Sequence, residues 1–248
     1  MVIVDHGSTD GTVAFVRERF PEATLVEQPN RGLAAGWNAG MRVASGRYLL
    51  ILNADAALVA PRLRYPDGRV QRSVRGFPTL WRIATEYFFL RKLAPRSRAL
   101  NAFYANGFDH DETREVDWVM GACMLVRRDA VEQVGPLDDA YFLFSEETDW
   151  CYRFRQAGWK IFFVPEAEVA HVLGAGHGGR LFREQVRGHL RFIAKHQGMR
   201  QAERARVLML AALRVRSLLF RGGRRTAYRD AADWLASDKV AALLESPR

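Results

Sequence analysis

Asp5 closes one apolar run, "VIVD", Asp55 closes another, "LLILNAD", and Glu146, Glu147 and Asp149 crowd into "SEETD". A carboxylate at such a place can accept hydrogen bonds from a ligand, hold a cation or take a proton. Asp5 precedes a polar, glycine-containing turn, so it can accept from a nucleobase or ribose, or cap the turn itself. Asp55, with Asn53 beside it, can coordinate Mg²⁺ or Mn²⁺ through oxygen. One or two carboxylates plus substrate phosphates are the usual ligands where a diphosphate reacts. The plain alternative for Asp55 is again a turn residue. The "SEETD" acids fall in the first turn of an expected helix, where the helix dipole favours negative charge. Three carboxylates after Tyr141, Phe142 and Phe144 exceed what a cap requires, and a carboxylate can deprotonate a sugar hydroxyl within hydrogen-bond reach. His171 follows "AEVA" and precedes a glycine-rich loop holding His177; its imidazole can complete a metal site, donate to a phosphate, or be structural. His6, His110, His189 and His196 have no evident partner set in the sequence.

These groups need elements to position them. "VIVD" and "ATLVEQ" read as strands. Between them "TDGTVAFVRERF" spaces Val13, Val16 and Phe20 as one helical face, with Thr9 or Asp10 as N-cap. Leu33, Trp37, Met41 and Ala44 give a second helical face, and "RYLLIL" is a continuous apolar run of the kind found in a central parallel strand. Strand–helix–strand–helix–strand is an α/β pattern with right-handed crossovers, whose ligands bind beyond the carboxyl ends of the strands. Asp5 and Asp55 therefore belong at one crevice. Further on, "YPDGRV" is a hairpin signal, residues 79–105 are mixed aromatic and basic and fit a helix over the cleft, and "VDWVMGACMLVRR" is a buried strand. "DAVEQVG" is a short helix closed by Gly135, and Ser145 caps a helix running to Gln156 with Gly158 as its stop. The tail reads as helical, with breaks at Gly198 and Gly222–Gly223.

The chain has 248 residues, 48% of them hydrophobic, enough for a full core in one or two domains. No apolar run reaches the roughly 18 residues that span a bilayer, and the N-terminus lacks a signal-peptide pattern. Cys123 and Cys151 give neither a disulfide framework nor metal-ligand spacing, so a reduced, cytoplasmic setting is expected. The net charge of +9 is uneven: residues 1–179 carry 21 Lys/Arg against 22 Asp/Glu, and residues 180–248 carry 16 against 6. Such a basic tail suits an anionic lipid surface, a nucleic acid, or simply solvent. Leu208, Ala211, Ala212, Val215 and Leu219 form one helical stripe edged by Arg206, Arg214, Arg216 and Arg221. The stripe fits either a membrane interface or docking on the body.

Three blocks together, "VIVDHGSTDGT", "NRGLAAGWNAGMRVASGRYLLILNAD" and the stretch from "VDWVMGACMLVRR" through "FSEETDWCYRFRQAGWKIFFVPEAEVAHV", closely resemble the family 2 glycosyltransferases, nearest to their bacterial rhamnosyltransferase-like branch. The resemblance covers roughly residues 2–178 and implies a GT-A-like, Rossmann-type α/β sheet with flanking helices, followed by a helical C-terminal tail. It thus divides the chain into a glycosyltransferase domain at 1–178 and a basic helical extension at 179–248. By position, it implies that Asp5 contacts the base or ribose of a nucleotide-sugar donor and that Gly32 and Asn38 pack beside that donor. Asn53 and Asp55 match the D-x-D-like motif for metal and diphosphate, His171 lies near the metal, and Glu147 matches the catalytic base.

The implied reaction is an inverting, metal-assisted transfer, with Mg²⁺ or Mn²⁺, from a nucleoside-diphosphate sugar to a glycan or lipid-linked acceptor in cell-surface polysaccharide synthesis. dTDP-rhamnose is a candidate donor. The protein would be cytoplasmic, peripheral on the inner face of the plasma membrane, with no nucleic-acid partner. Relatives carry a further strand unit before the position of Met1, and a helix and strand after the metal motif, which are absent here. The alternative reading is therefore a catalytically impaired or inactive remnant that keeps the fold. A nucleic-acid-binding protein using the basic tail is a third reading. A dinucleotide-dependent dehydrogenase is disfavoured, because no G-x-G-x-x-G follows a strand.

Overall fold

The computed structural model describes residues 1–52, 62–105, 107–172, 181–240 and 243. In chain order the elements begin with β1 (Val2–Asp5), α1 (Thr12–Arg19), β2 (Thr24–Glu27), α2 (Leu33–Val43), β3 (Tyr48–Leu52), β4 (Arg62–Arg64), β5 (Val74–Arg75) and α3 (Leu80–Tyr87). They continue with β6 (Arg114–Glu115), β7 (Trp118–Val119), β8 (Cys123–Arg127), α4 (Arg128–Val134), α5 (Glu146–Gln156), β9 (Phe162–Phe163) and β10 (Glu168–Ala170). Three helices end the chain: α6 (Phe182–Gln197), α7 (Met199–Leu219) and α8 (Gly222–Leu235). This is the expected mixed α/β order.

β1 and β2 pair in parallel from Val2↔Thr24 to Asp5↔Glu27, with α1 as the crossover that parallel strands require. The N-cap of α1 is Gly11 at φ 89°, one residue beyond the expected Thr9 or Asp10. Asp10 instead accepts from the Thr12 amide (3.0 Å) and hydroxyl (2.6 Å), and so fixes the turn from outside. β3 does not follow the expected parallel pattern. It pairs antiparallel with β8, Tyr48↔Arg127 through Leu52↔Cys123. The reason lies in β8, which alternates: Met124 is buried and Leu125 is exposed, a half-buried habit that antiparallel pairs tolerate. Among the described residues β1–β2 and β3–β8 are separate ladders, and α2 joins them. Its Gly40 lies against Val4 of β1, while Ala34, Trp37 and Met41 pack with Met124 and Trp150.

The Pro-Asp-Gly hairpin forms: Tyr65 N donates to Arg69 O and Arg64 bridges Val70. Its first strand, β4, pairs in parallel with β10, and Glu168 ties the ladder by accepting from both Arg62 and Arg64. The "VDWVMGACMLVRR" run divides at Gly121 into β7, paired with β5, and β8. Of residues 79–105 only Leu80–Tyr87 is α-helical; Phe89, at φ 55°, ends it and two short 3₁₀ turns follow.

The tail docks. Val186, Leu190, Ile193, Met209, Leu213 and Leu235 share one buried core with Ile83 and Tyr87 of α3. Each such large apolar side chain contributes about 1.5–3 kcal/mol when fully buried. The expected α7 stripe is therefore split: Ala212 faces this core, while Val215 and Leu219 face solvent. Arg216 lies within the core rather than at its edge, donating from Nε to Tyr87 O (2.6 Å) and from a terminal nitrogen to Glu86 O (2.5 Å).

Candidate functional site

α5 starts on two consecutive left-handed, non-glycine residues, Phe144 (φ 67°) and Ser145 (φ 74°). Ser145 occupies the expected N-cap position, yet its side chain makes no capping bond. Strained backbone persists only where its surroundings fix it. Here α6 presses on one side: a Cβ on Gly188 would lie 2.6 Å from both Phe144 O and Ser145 Oγ. The start of α2 presses on the other, where Leu33 N donates to Phe142 O (3.0 Å) and a Cβ on Gly32 would lie 2.4 Å from that same oxygen.

The turn delivers Glu147 to a buried position, 8% exposed, where Oε1 accepts from Gly121 N (3.4 Å) and Oε2 has no hydrogen-bond partner among the described residues. Burial raises its proton affinity. Glu146 is pushed further, by burial and then by the neighbouring Glu147 charge, and its Oε2 is also unpartnered. Asp149 behaves oppositely. Burial acts to raise its pKa, but hydrogen bonds from His196 and Lys195 and the charge of Arg153 bring it down to about 2. Its Oδ1 accepts from His196 Nε2 (2.7 Å) and Lys195 Nζ (2.8 Å), and its Oδ2 from Arg153 Nε (2.9 Å). This clamp between α5 and α6 fixes the base of the Glu147 helix.

The other expected site residues converge in part. Asp5 is buried, and its Oδ2 accepts from Gly7 N (2.8 Å) and Ser8 N (2.9 Å); bonds from the Ser8 hydroxyl and amide lower its pKa. The turn-capping role is thus realised. Gly36 meets the His6 ring as Gly32 meets Phe142, and these two glycines are one helical turn apart. The Asp5 turn and the Glu147 turn accordingly meet the same end of α2. Asn38 is turned away to a structural bond, donating to Leu137 O (2.7 Å) and accepting from Leu137 N (2.9 Å). Asn53 and Asp55 lie outside the described residues, as does His177.

His171 follows β10 and is held by Gln71, a residue that carried no signal in the sequence. The Gln71 amide nitrogen donates to His171 O (2.5 Å) and Arg64 O (3.3 Å), so its Oε1 faces His171 Nδ1 at 3.0 Å. Nδ1 therefore donates to Gln71, an orientation and buttressing that suit a metal-ligating imidazole. Among the described residues no group of three His, Cys, Asp or Glu is placed to hold a metal. A short relay connects the two halves of the site. Ser73, two residues from Gln71, accepts from Met120 N (3.0 Å), and Gly121 next to it donates to Glu147. A Cβ on Gly121 would lie 2.4 Å from the Trp37 ring of α2, so only glycine fits this junction. His110 and His189 prove structural: His110 accepts from Val74 N and pairs with Phe108 O, and His189 pairs with the Tyr87 hydroxyl.

Two solved structures share this architecture. A mannosyltransferase of Pyrobaculum calidifontis, solved with GDP-mannose and Mn²⁺, aligns over 99% of this chain and 74% of its own, with TM-score 0.50 and 17% identity. GalNAc-T7, solved with UDP, GalNAc and Mn²⁺, aligns over 99% and 51%, with TM-score 0.54 and 13% identity. The fold is that of the GT-A glycosyltransferases. The family model for glycosyl transferase family 2 matches residues 1–65. An N-acetylglucosaminyl-diphospho-decaprenol L-rhamnosyltransferase of Mycobacterium tuberculosis is 29% identical over 91% of this chain and 86% of its own length. The rhamnosyltransferase WbbL of Escherichia coli is 36% identical over 31% of this chain and 28% of its own. The chain is thus similar to the family 2 glycosyltransferases and, along most of its length, to a rhamnosyltransferase.

Proposed function

We propose that this enzyme transfers rhamnose from a nucleoside diphosphate, dTDP-rhamnose by preference, to a lipid-linked sugar acceptor, inverting the anomeric centre, in cell-surface polysaccharide assembly. The substrate class rests on the mycobacterial relative, whose similarity runs through both the body and the tail. The chemistry rests on one observation: Glu147 holds a buried carboxylate oxygen without a partner among the described residues, on a turn strained from two sides. In a single displacement Glu147 takes the proton of the acceptor hydroxyl as that oxygen bonds to the anomeric carbon. The bond from that carbon to the diphosphate breaks, and the diphosphate leaves with the electron pair. Asp5 and the Gly32 turn border the donor's nucleoside end. Asp55, with Asn53 and His171, would hold Mg²⁺ or Mn²⁺, which supplies charge stabilisation to the departing diphosphate. The hydrogen bond that holds His171 Nδ1 on Gln71 fits that set. The protein works in the cytoplasm, peripherally at the inner face of the plasma membrane, where such acceptors are held. Nothing among the described residues favours the inactive-remnant reading.

The test is calorimetric titration with UDP and dTDP, with and without Mn²⁺, followed by transfer assays on Glu147→Gln. Metal-dependent binding of dTDP is expected, with Glu147→Gln binding it as tightly and losing about 10²–10⁴-fold in transfer. A folded protein that binds neither nucleotide, or a Glu147→Gln variant that retains turnover, overturns the assignment.

A further inference from the structure

Where α7 ends, the helical bundle exposes apolar side chains that a water-facing surface does not need. On α7, Val215, Leu218 and Leu219 share one helical face, and Leu218 and Leu219 are 80% and 73% exposed. Beside them the chain leaving α3 exposes Phe88, and Leu93 at 79%. Arg216 joins these two segments through the carbonyls of Glu86 and Tyr87, and Phe89 meets Phe220 with ring centroids 5.8 Å apart. The left-handed Phe89 sets the direction in which the chain leaves α3, so the apolar cluster is built from both ends of one contact.

The charge around it is predominantly positive. Residues 204–229 hold eight arginines and no acid, and residues 87–108 hold four basic residues and no acid. Ion pairs engage Arg206 with Glu203, Arg183 with Asp230 and Arg229 with Asp233, and leave Arg214, Arg221, Arg224 and Arg225 without a carboxylate among the described residues. All four are exposed. No helix among the described residues is long and apolar enough to cross a membrane. Exposed aliphatic and aromatic side chains within a cationic ring match an anionic bilayer surface: the apolar groups enter the acyl boundary, and the arginines meet the phosphates. A nucleic acid would match the arginines but would leave Leu93, Leu218 and Leu219 without a role.

We propose that Phe88, Leu93, Val215, Leu218 and Leu219, ringed by Lys92, Arg214, Arg221, Arg224 and Arg225, form the surface by which this enzyme docks on anionic lipid. The proposal deepens the lipid-linked-acceptor reading and rests on it for its purpose, but its physical basis and its test are separate from catalysis. The test is flotation of the full chain with phosphatidylcholine vesicles, with and without phosphatidylglycerol. Binding only to the phosphatidylglycerol vesicles is expected. Leu218→Glu/Leu219→Glu should lower it at least tenfold, and so should Arg221→Gln/Arg224→Gln/Arg225→Gln. All these positions are exposed, and unchanged circular dichroism and dTDP binding establish that the variants fold. Wild-type protein that fails to float, or a folded leucine variant that floats as well as wild type, overturns the proposal. So does binding to a DNA duplex at the same affinity as to vesicles, insensitive to the leucine substitutions. Failure of flotation with donor binding intact removes the docking surface and leaves the transferase reading standing.

Discussion

Replacing Asp149 by asparagine keeps its shape and removes its charge, and the structure fixes the cost. The carboxylate accepts from two donors on Oδ1, Lys195 and His196, and from Arg153 on Oδ2. An asparagine must turn its NH₂ toward one of these sides, setting donor against donor. The carboxylate's pKa falls from 3.8 to about 2, which by linkage is about 2 kcal/mol of stability at neutral pH. Leaving Lys195 or Arg153 partly unpaired in a half-buried setting adds to this, for a total of about 3–5 kcal/mol. Urea unfolding followed by tryptophan fluorescence measures it as a lower midpoint at unchanged slope. A folded-state pKa below the unfolded one gives stability that is present above about 4 and lost as pH falls through about 2. The gap between wild type and variant must therefore narrow over that window. A loss under 1 kcal/mol, or a gap that does not change with acid, refutes the clamp.

Gly32→Ala combines a left-handed backbone (φ 97°) with a Cβ 2.4 Å from Phe142 O. It should lose about 1–3 kcal/mol in thermal or urea unfolding and lower kcat by misplacing the Glu147 turn; a neutral result would mean that the turn is not held from α2. Because burial raises the Glu147 pKa, the acid limb of the kcat/KM profile should lie above the ordinary glutamate value of 4.5, with activity appearing as pH rises through it. In stability the same shift has the opposite sense: its contribution is full below the ordinary glutamate range and lost as pH rises through the raised value. An acid limb at or below 4.5 would remove Glu147 as the titrating base.

Much of the site's scaffolding was legible because it depends on local pattern. Gly135 and Gly158, at positive φ, end their helices where the sequence put them, and the Pro-Asp-Gly hairpin closes as its residues require. What sequence could not reveal depends on residues far apart in the chain. Gln71 orients a histidine 100 positions away, and Asn38 spends its whole amide on Leu137, 99 positions away. Gly121 and Gly188 looked like ordinary glycines until their packing partners, Trp37 and the Phe144–Ser145 backbone, were in place. The pairing of β3, antiparallel to β8 and not parallel as its apolar run suggests, escapes the sequence for a related reason. Apolarity alone does not separate a strand buried on both faces from one that leaves Leu125 in solvent.

The "SEETD" cluster shows why three neighbouring acids need not share a role. Two residues along a helix are roughly 200° apart around its axis, so Glu147 and Asp149 face nearly opposite ways. Asp149 turns toward α6 and meets Lys195 and His196; Glu147 turns toward Gly121 and meets a single backbone amide. The same short segment therefore holds one carboxylate that stays ionised well into acid and one that keeps its proton longer than usual. The first fixes the helix and is too tightly engaged to exchange a proton with substrate. The second has an oxygen to spare and the raised affinity that a base needs to take a proton from a hydroxyl. The different settings of the two acids follow from helix geometry together with the placement of α6, and moving either acid by one residue would exchange a clamp and the proposed base for two groups able to do neither.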